Sequence, residues 1–262
     1  MGLASKISTG LNDRSARLAG IGLMLAGIWA FSFGDALGKY IVAGYPVGQL
    51  LFLRAVTSLA LLSPLIWRSR HEFLRLERRG LHVLRVGLAT WGGAGFFVAV
   101  IYLPLADVIT FYLAAPIFVT ALSALVLREQ VGWRRWCAVG VGFCGVLIAM
   151  QPSAQTITWP ALIALGGSTC FAILMLITRS LRGASDTMLA SSQFIGTLTF
   201  GALLLPFGWV TPSLPGFSLF AIAGAISVGA SLCINRSLKL APASVVVPYQ
   251  YSMIVWAVMF GY

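Results

Sequence analysis

The sequence predicts an all-α integral membrane protein, a bundle of spanning helices arranged as two related halves. Three observations predict it. The composition is 59% hydrophobic and only 10% charged, with a mean hydropathy of +0.91, whereas an ordinary soluble domain carries about 25% charged residues. Apolar segments of near-spanning length recur from one end of the chain to the other. The basic residues collect in every second connection between them.

Taken in order, residues 1–17, MGLASKISTGLNDRSAR, form a cytoplasmic tail. A charged stretch before an apolar one is also the pattern of a cleaved signal peptide. Here the apolar run is long and many others follow, so it reads as an uncleaved first span. The MGLASK start departs from the myristoylation pattern, because Lys6 stands where Ser or Thr is needed. Nine spans are expected, at 18–41, 47–67, 81–101, 106–127, 134–151, 158–178, 187–207, 216–235 and 242–262, since about 20 residues suffice to cross the hydrocarbon. Gly and Pro are frequent inside them, as membrane helices tolerate. The links are too short for a soluble domain.

Orientation follows from the loops. With the N-terminus (Lys6, Arg14, Arg17) in the cytoplasm, the inside connections carry Arg68, Arg70, Arg75, Arg78, Arg79 and Arg85, then Arg128, Arg134 and Arg135, then Arg179 and Arg182, then Arg236 and Lys239. The outside connections YLPLAD, QPSAQTITW and GWVTPSLPG hold no Lys or Arg. Lys39 and Arg54 alone stand outside the cytoplasmic set. This asymmetry marks a multi-pass protein of the cell inner (plasma) membrane. It also accounts for the net charge of +11 without nucleic acid, since no basic stripe interleaves with aromatics.

Other chemistries are excluded in turn. Cys137, Cys144, Cys170 and Cys233 lie in apolar spans, form no CxxC, and read as small hydrophobes. His71 and His82 flank a basic loop, and no His/Cys/carboxylate group has metal-ligand spacing. No metal or cofactor is expected. Gly140 to Gly145 spells G-x-G-x-x-G, but it lies within an apolar helix with no preceding strand. Ser32-Phe-Gly-Asp35 is similar to a membrane aspartyl protease motif, but its first glycine is absent and no second Asp lies deep in another span. An enzyme is therefore not expected.

The halves share a pattern. YLPLADVITFYLAAPIF from Tyr102 and SLKLAPASVVVPYQYSM from Ser237 each carry L-x-L-A before an apolar span with an early proline, at an offset of 135 residues. FSFGDALGKYI and FAILMLITRSL form a weaker echo. Five spans per half is an odd number, so the second half enters the membrane inverted, the plan of many secondary transporters. The first five-helix repeat is expected at 18–151 and the second at 152–262. The offset carries Leu127 onto Tyr262, so a tenth helix is expected to be missing, with nine present.

These residues resemble the drug/metabolite transporter (DMT) superfamily in its EamA-domain branch. The resemblance covers about residues 18 to 262. It rests on the first span with Trp29, Phe31 and Lys39, on PVGQLLFLRA opening the second, on LPLADVITFYLAAPIF followed by LREQV, and on the mirror LKLAPASVVVP. It implies ten helices with both termini cytoplasmic and a central cavity lined by the first, third, fourth, sixth, eighth and ninth. The fifth and tenth would be peripheral.

Candidate site residues follow. Asp35 and Lys39 are four apart in an apolar run, on one helix face where they can pair. They form either a polar, proton-responsive site facing the cavity or a structural ion pair near the interface. Gly34 and Gly38 frame Asp35 as GxxxG, a signal for close helix packing. Arg54 pairs with Asp35, snorkels, or holds a carboxylate on a solute. Trp91, Tyr102, Tyr112, Tyr249, Gln250 and Tyr251 supply rings with polar tips and an amide, suited to an amphipathic solute. Pro116 and Pro248 interrupt two spans as hinges or kinks.

The expected function is secondary active transport of small organic solutes by alternating access, driven by a proton gradient or solute exchange, in a monomer or homodimer embedded in membrane lipids. Export of amino acids, metabolites or drugs is favoured. Import of a vitamin or nucleoside-like metabolite is the alternative, ahead of an intramembrane enzyme or a non-transporting subunit.

Overall fold

A computed structural model describes residues 3–71, 78–150 and 158–261. Arg75, Tyr262, most of QPSAQTITW and the side chain of Lys6 lie outside the described residues. In hydrocarbon every backbone group must be satisfied within its own segment, so apolar runs become helices. These are α1 (Leu3–Val42), α2 (Val47–Arg68), α3 (Arg79–Tyr102), α4 (Leu105–Tyr112), α5 (Ala115–Val126), α6 (Trp133–Met150), α7 (Trp159–Ser180), α8 (Asp186–Leu204), α9 (Leu214–Leu240), α10 (Ala243–Val246) and α11 (Met253–Gly261).

Local chemistry sets their ends. Pro46, Pro104 and Pro242 stand at the N-caps of α2, α4 and α10 in extended conformation, and each ring forbids the preceding helix from running on. Ser185 and Ser213 cap α8 and α9, accepting from the N–H of Met188 at 3.2 Å and of Gly216 at 3.3 Å. Arg128 ends α5 in the left-handed region, φ 53°, a place glycine usually takes.

Seven helices among the described residues are long and apolar enough to span: Arg14–Val42, Val47–Arg68, Arg79–Tyr102, Asp107–Val126, Trp159–Ser180, Asp186–Phe207 and Leu214–Leu240. The segment expected at 134–151 is α6, with 18 residues. The segment expected at 242–262 is broken, with α10 passing into a 3-10 turn (Val247–Ser252) and then α11. Pro248 lies in that turn. Pro116 lies at the start of α5, just after α4 stops at Tyr112. A proline supplies no N–H, and both expected interruptions are breaks in the ladder.

The helices pack across the two halves. α1 lies against α9, α2 against α8, and α3 against α7, while α2 also meets α9 and α3 also meets α8. Contact between α2 and α8 is close because a Cβ on Gly201 would stand 2.6 Å from the backbone N of Phe52. The main core fills this interface, with Met24, Ile28, Phe97, Ile109, Phe220 and Leu238 buried in it. Arg68, Arg128, Arg182 and Lys239, at or just past the C-terminal ends of α2, α5, α7 and α9, mark one end of the bundle, here called the basic face.

Candidate functional site

Asp35 stands two turns from the C-terminal end of α1 and is buried, 4% exposed. It lines three adjoining cavities of 80, 30 and 20 Å³ at the centre of the bundle. Arg54 of α2 lines the first two with it. The two charges attract each other, yet Asp35 Oδ2 and Arg54 Nε have no hydrogen-bond partner among the described residues. The guanidinium carbon of Arg54 lies 5.2 Å from the Phe97 ring centroid, in cation–π range. Gly38 makes this layout fit, because a Cβ there would stand 2.4 Å from the Phe97 ring.

The rest of the wall is aromatic. Phe31, Phe96, Tyr112 and Phe171 surround Asp35. Tyr112 packs edge-on to Phe96 with centroids 5.2 Å apart. Its hydroxyl donates to the Gly92 carbonyl oxygen at 2.7 Å. Gln193 and Thr197 of α8 add polar groups. Gln250, in the break between α10 and α11, borders the 20 Å³ cavity and is buried, its Nε2 without a partner among the described residues.

The structure thus brings Asp35, Arg54, Tyr112 and Gln250 together. It places the other expected residues elsewhere. Lys39 is exposed, on the outside of α1, so the charge facing Asp35 in the cavity belongs to Arg54. Trp91 is 67% exposed and Tyr102 59% exposed, the latter against Trp159 with centroids 4.7 Å apart. Tyr249 and Tyr251 line an outer groove beside α6, not the central cavity. Gly34 sits at ordinary contact distance from Ile226, so the GxxxG accommodates side chains, Phe97 above all, rather than a neighbouring backbone.

One buried charge was read from sequence only as a topogenic residue. Arg85 of α3 is 1% exposed. It donates to Thr178 Oγ1 at 2.9 Å, the Leu189 carbonyl at 2.8 Å and Asn235 Oδ1 at 3.1 Å, with Gln193 Oε1 at 3.5 Å. Near it at the basic face, Glu129 accepts from the N–H of Ala243 and of Ser244 and lies 3.6 Å from Arg179. Asp186 pairs with Lys239 at 2.5 Å and with Arg236 at 3.7 Å.

A cavity of 80 Å³ holds a few waters, while a drug-sized solute needs about 300–1,000 Å³. At this size the cavity beside Asp35 and Arg54 is too small for such a solute. Among the described residues no group of three or more His, Cys, Asp or Glu could hold a metal.

Comparison with known proteins gives a consistent result. The model of the EamA-like transporter family matches residues 18–151, more than half of the chain. A riboflavin transporter of Rhizobium johnstonii is 26% identical over 94% of this chain and 82% of its own length. An S-adenosylmethionine uptake transporter of Rickettsia prowazekii is 24% identical over 94% and 84%, and a riboflavin transporter of Vibrio cholerae 28% over 92% and 82%. One crystal structure superposes with a TM-score of 0.76 at 16% identity, covering 94% of this chain and 86% of the other, a likeness of fold.

Proposed function

The chain belongs to the EamA-like transporter family, and from that premise we propose that it carries a small heteroaromatic or zwitterionic solute by alternating access, with the Asp35–Arg54 cavity as the binding site. The chain is a multi-pass membrane protein related to small-solute transporters. The observation that carries the finer reading is the meeting of a buried carboxylate and a buried guanidinium on one aromatic-walled cavity. Opposite charges in such a place suit a solute with both signs of charge, and an aromatic wall suits a flat heterocycle.

Import is the direction we propose. Export was the expectation from sequence, but relatives named for uptake, and for riboflavin, favour its alternative. The inner membrane and a cytoplasmic N-terminus are supported by the basic connections sharing one face. The 5+5 inverted repeat is supported by the packing, because exchanging the halves turns the α1–α9 contact into α7–α3 and the α2–α9 contact into α8–α3. Pro104 and Pro242 cap equivalent broken helices with nearly equal angles, φ −54° and ψ 144° against φ −54° and ψ 142°. Pairing these two prolines gives an offset of 138 residues in place of the 135 expected from the sequence motifs, and it puts Tyr112 opposite Gln250, both beside Asp35.

The experiment is flux of labelled riboflavin and S-adenosylmethionine into proteoliposomes, with and without an imposed pH gradient, and with Asp35→Asn in parallel. Saturable flux lost in the variant supports the site. Flux that follows the gradient supports proton coupling, and flux indifferent to it points to solute exchange. Flux unchanged in Asp35→Asn removes the carboxylate from the site.

A further inference from the structure

Arg85 is a cation buried among neutral acceptors, and none of the ion pairs between described residues includes it. Such a charge is a poor device for stability, since apolar packing of the same volume does as well or better. Its position suggests another use. Ala89, Leu174 and Gln193 line the 80 Å³ cavity and Ser231 the 30 Å³ one. One helical turn from each toward the basic face stand Arg85, Thr178, Leu189 and Asn235. The guanidinium and three of its acceptors therefore form a layer directly beneath the cavity floor.

The bonds also have a direction. Arg85 belongs to α3, and every acceptor belongs to α7, α8 or α9. A path from the cavity to the basic face that parts α3 from these helices must break this layer. Gln193 joins the two levels, lining the cavity and accepting from Arg85. Asn235 Nδ2 and His82 Nδ1 in the same region have no partner among the described residues, so the layer keeps polar groups ready for water. A hydrophobic plug would expose hydrocarbon on opening. A guanidinium exchanges protein acceptors for water at modest net cost.

We propose that Arg85 is a positioning residue of the transport cycle: it locks α3 to the opposite half and seals the central cavity from the basic face. The proposal rests on the alternating-access reading above, and its test needs no transported solute, so the two can fail separately.

The full chain, with Cys137, Cys144, Cys170 and Cys233 replaced by serine and Leu174→Cys introduced in the cavity wall, is placed in vesicles of each sidedness. A membrane-impermeant methanethiosulfonate reagent is applied and the modification rate is measured. Arg85→Ala is expected to raise the rate from the basic face by about tenfold or more, as loss of several charge-assisted bonds allows. The rate from the opposite face should not rise. Arg85→Lys, which keeps the charge, should fall between the two. Thr178→Val, which removes one acceptor at constant shape, should give a smaller rise of the same sidedness and serves if Arg85→Ala does not fold. An unchanged rate in these variants, or an equal rise from both faces, overturns the proposal. A one-sided rise in a protein that moves neither riboflavin nor S-adenosylmethionine keeps the gate and removes the transport reading.

Discussion

The carboxylate of Glu129 receives Ser244 twice, from its backbone N–H at 3.1 Å and from its hydroxyl at 2.7 Å. Glu129 follows α5, where the left-handed Arg128 turns the chain across the basic face. Ala243 and Ser244 open α10, where backbone N–H groups have no partner in their own helix. The contact ties the end of one broken helix to the beginning of the other. Glu129→Ala leaves three donors without their acceptor and is expected to cost about 2 kcal/mol. Glu129→Gln, which keeps an acceptor oxygen, should lose less. Unfolding midpoints in detergent check this, and equal midpoints for all three proteins would refute it.

The hydroxyl of Tyr112 sits where a side chain on Gly167 would go, since a Cβ there would stand 2.0 Å from it. Gly167→Ala should push the ring away from Gly92 and destabilise by about 1–3 kcal/mol, the range for overpacking a tight core. Tyr112→Phe gives up one hydrogen bond and should cost about 1 kcal/mol. The double variant should be less destabilised than the sum, because removing the hydroxyl makes part of the room that the methyl needs. Strict additivity in a denaturation series would show that the two positions do not compete for space.

Much of this was legible in the chain. Hydrophobicity fixes spans because the bilayer leaves the backbone no other satisfactory state. Pro116 and Pro248 announced the helix breaks because a missing N–H acts locally. Asp35 and Arg54 stood out because each is a charge inside an apolar run. Arg85 did not, because it follows Arg78 and Arg79 closely and reads as part of a basic loop. Only the packing of α3 on α7 and α8, with Asn235 of α9 in hydrogen-bond reach, buries it. Lys39, Trp91 and Tyr102 were expected at the site because charge and ring type are visible in sequence, whereas the face a helix turns to its neighbours is not. In a membrane helix the lipid-facing side is as apolar as the core, so periodicity carries little of that information.

On the face opposite the basic one, the side-chain amide of Gln49 acts as a clasp. Its Nε2 donates to the Val210 carbonyl at 2.7 Å and its Oε1 accepts from the Val210 N–H at 3.0 Å. Gln49 is fully buried at the start of α2, and Val210 lies in the connection between α8 and α9. Gln49→Leu fills the same space without either bond. Hydrogen exchange of the Val210 amide is expected to speed up by about tenfold, the effect of losing roughly one net hydrogen bond of local protection. Exchange at an unchanged rate would mean that the connection is held by other contacts.

The charge pair in the cavity allows structure and function to be separated. Asp35→Asn leaves Arg54 buried without its opposite charge, and Arg54→Gln does the same to Asp35. Each single variant should be destabilised, and the double variant should recover about 0.5–3 kcal/mol relative to the sum, the usual coupling for neighbouring charges. Lys39→Gln, on the exposed side of α1, should stay within about 0.5 kcal/mol of the parent. Transport should behave differently. If the pair holds the solute, riboflavin or S-adenosylmethionine flux falls by about tenfold or more in both single variants, since each charged contact is worth roughly 1.5–3 kcal/mol, and the double variant stays as inactive as the singles despite its recovered fold. If the pair serves only to neutralise itself, flux returns with stability in the double variant. A recovered fold with recovered flux would therefore move the binding site away from Asp35 and Arg54, toward Tyr112, Gln193 and Gln250.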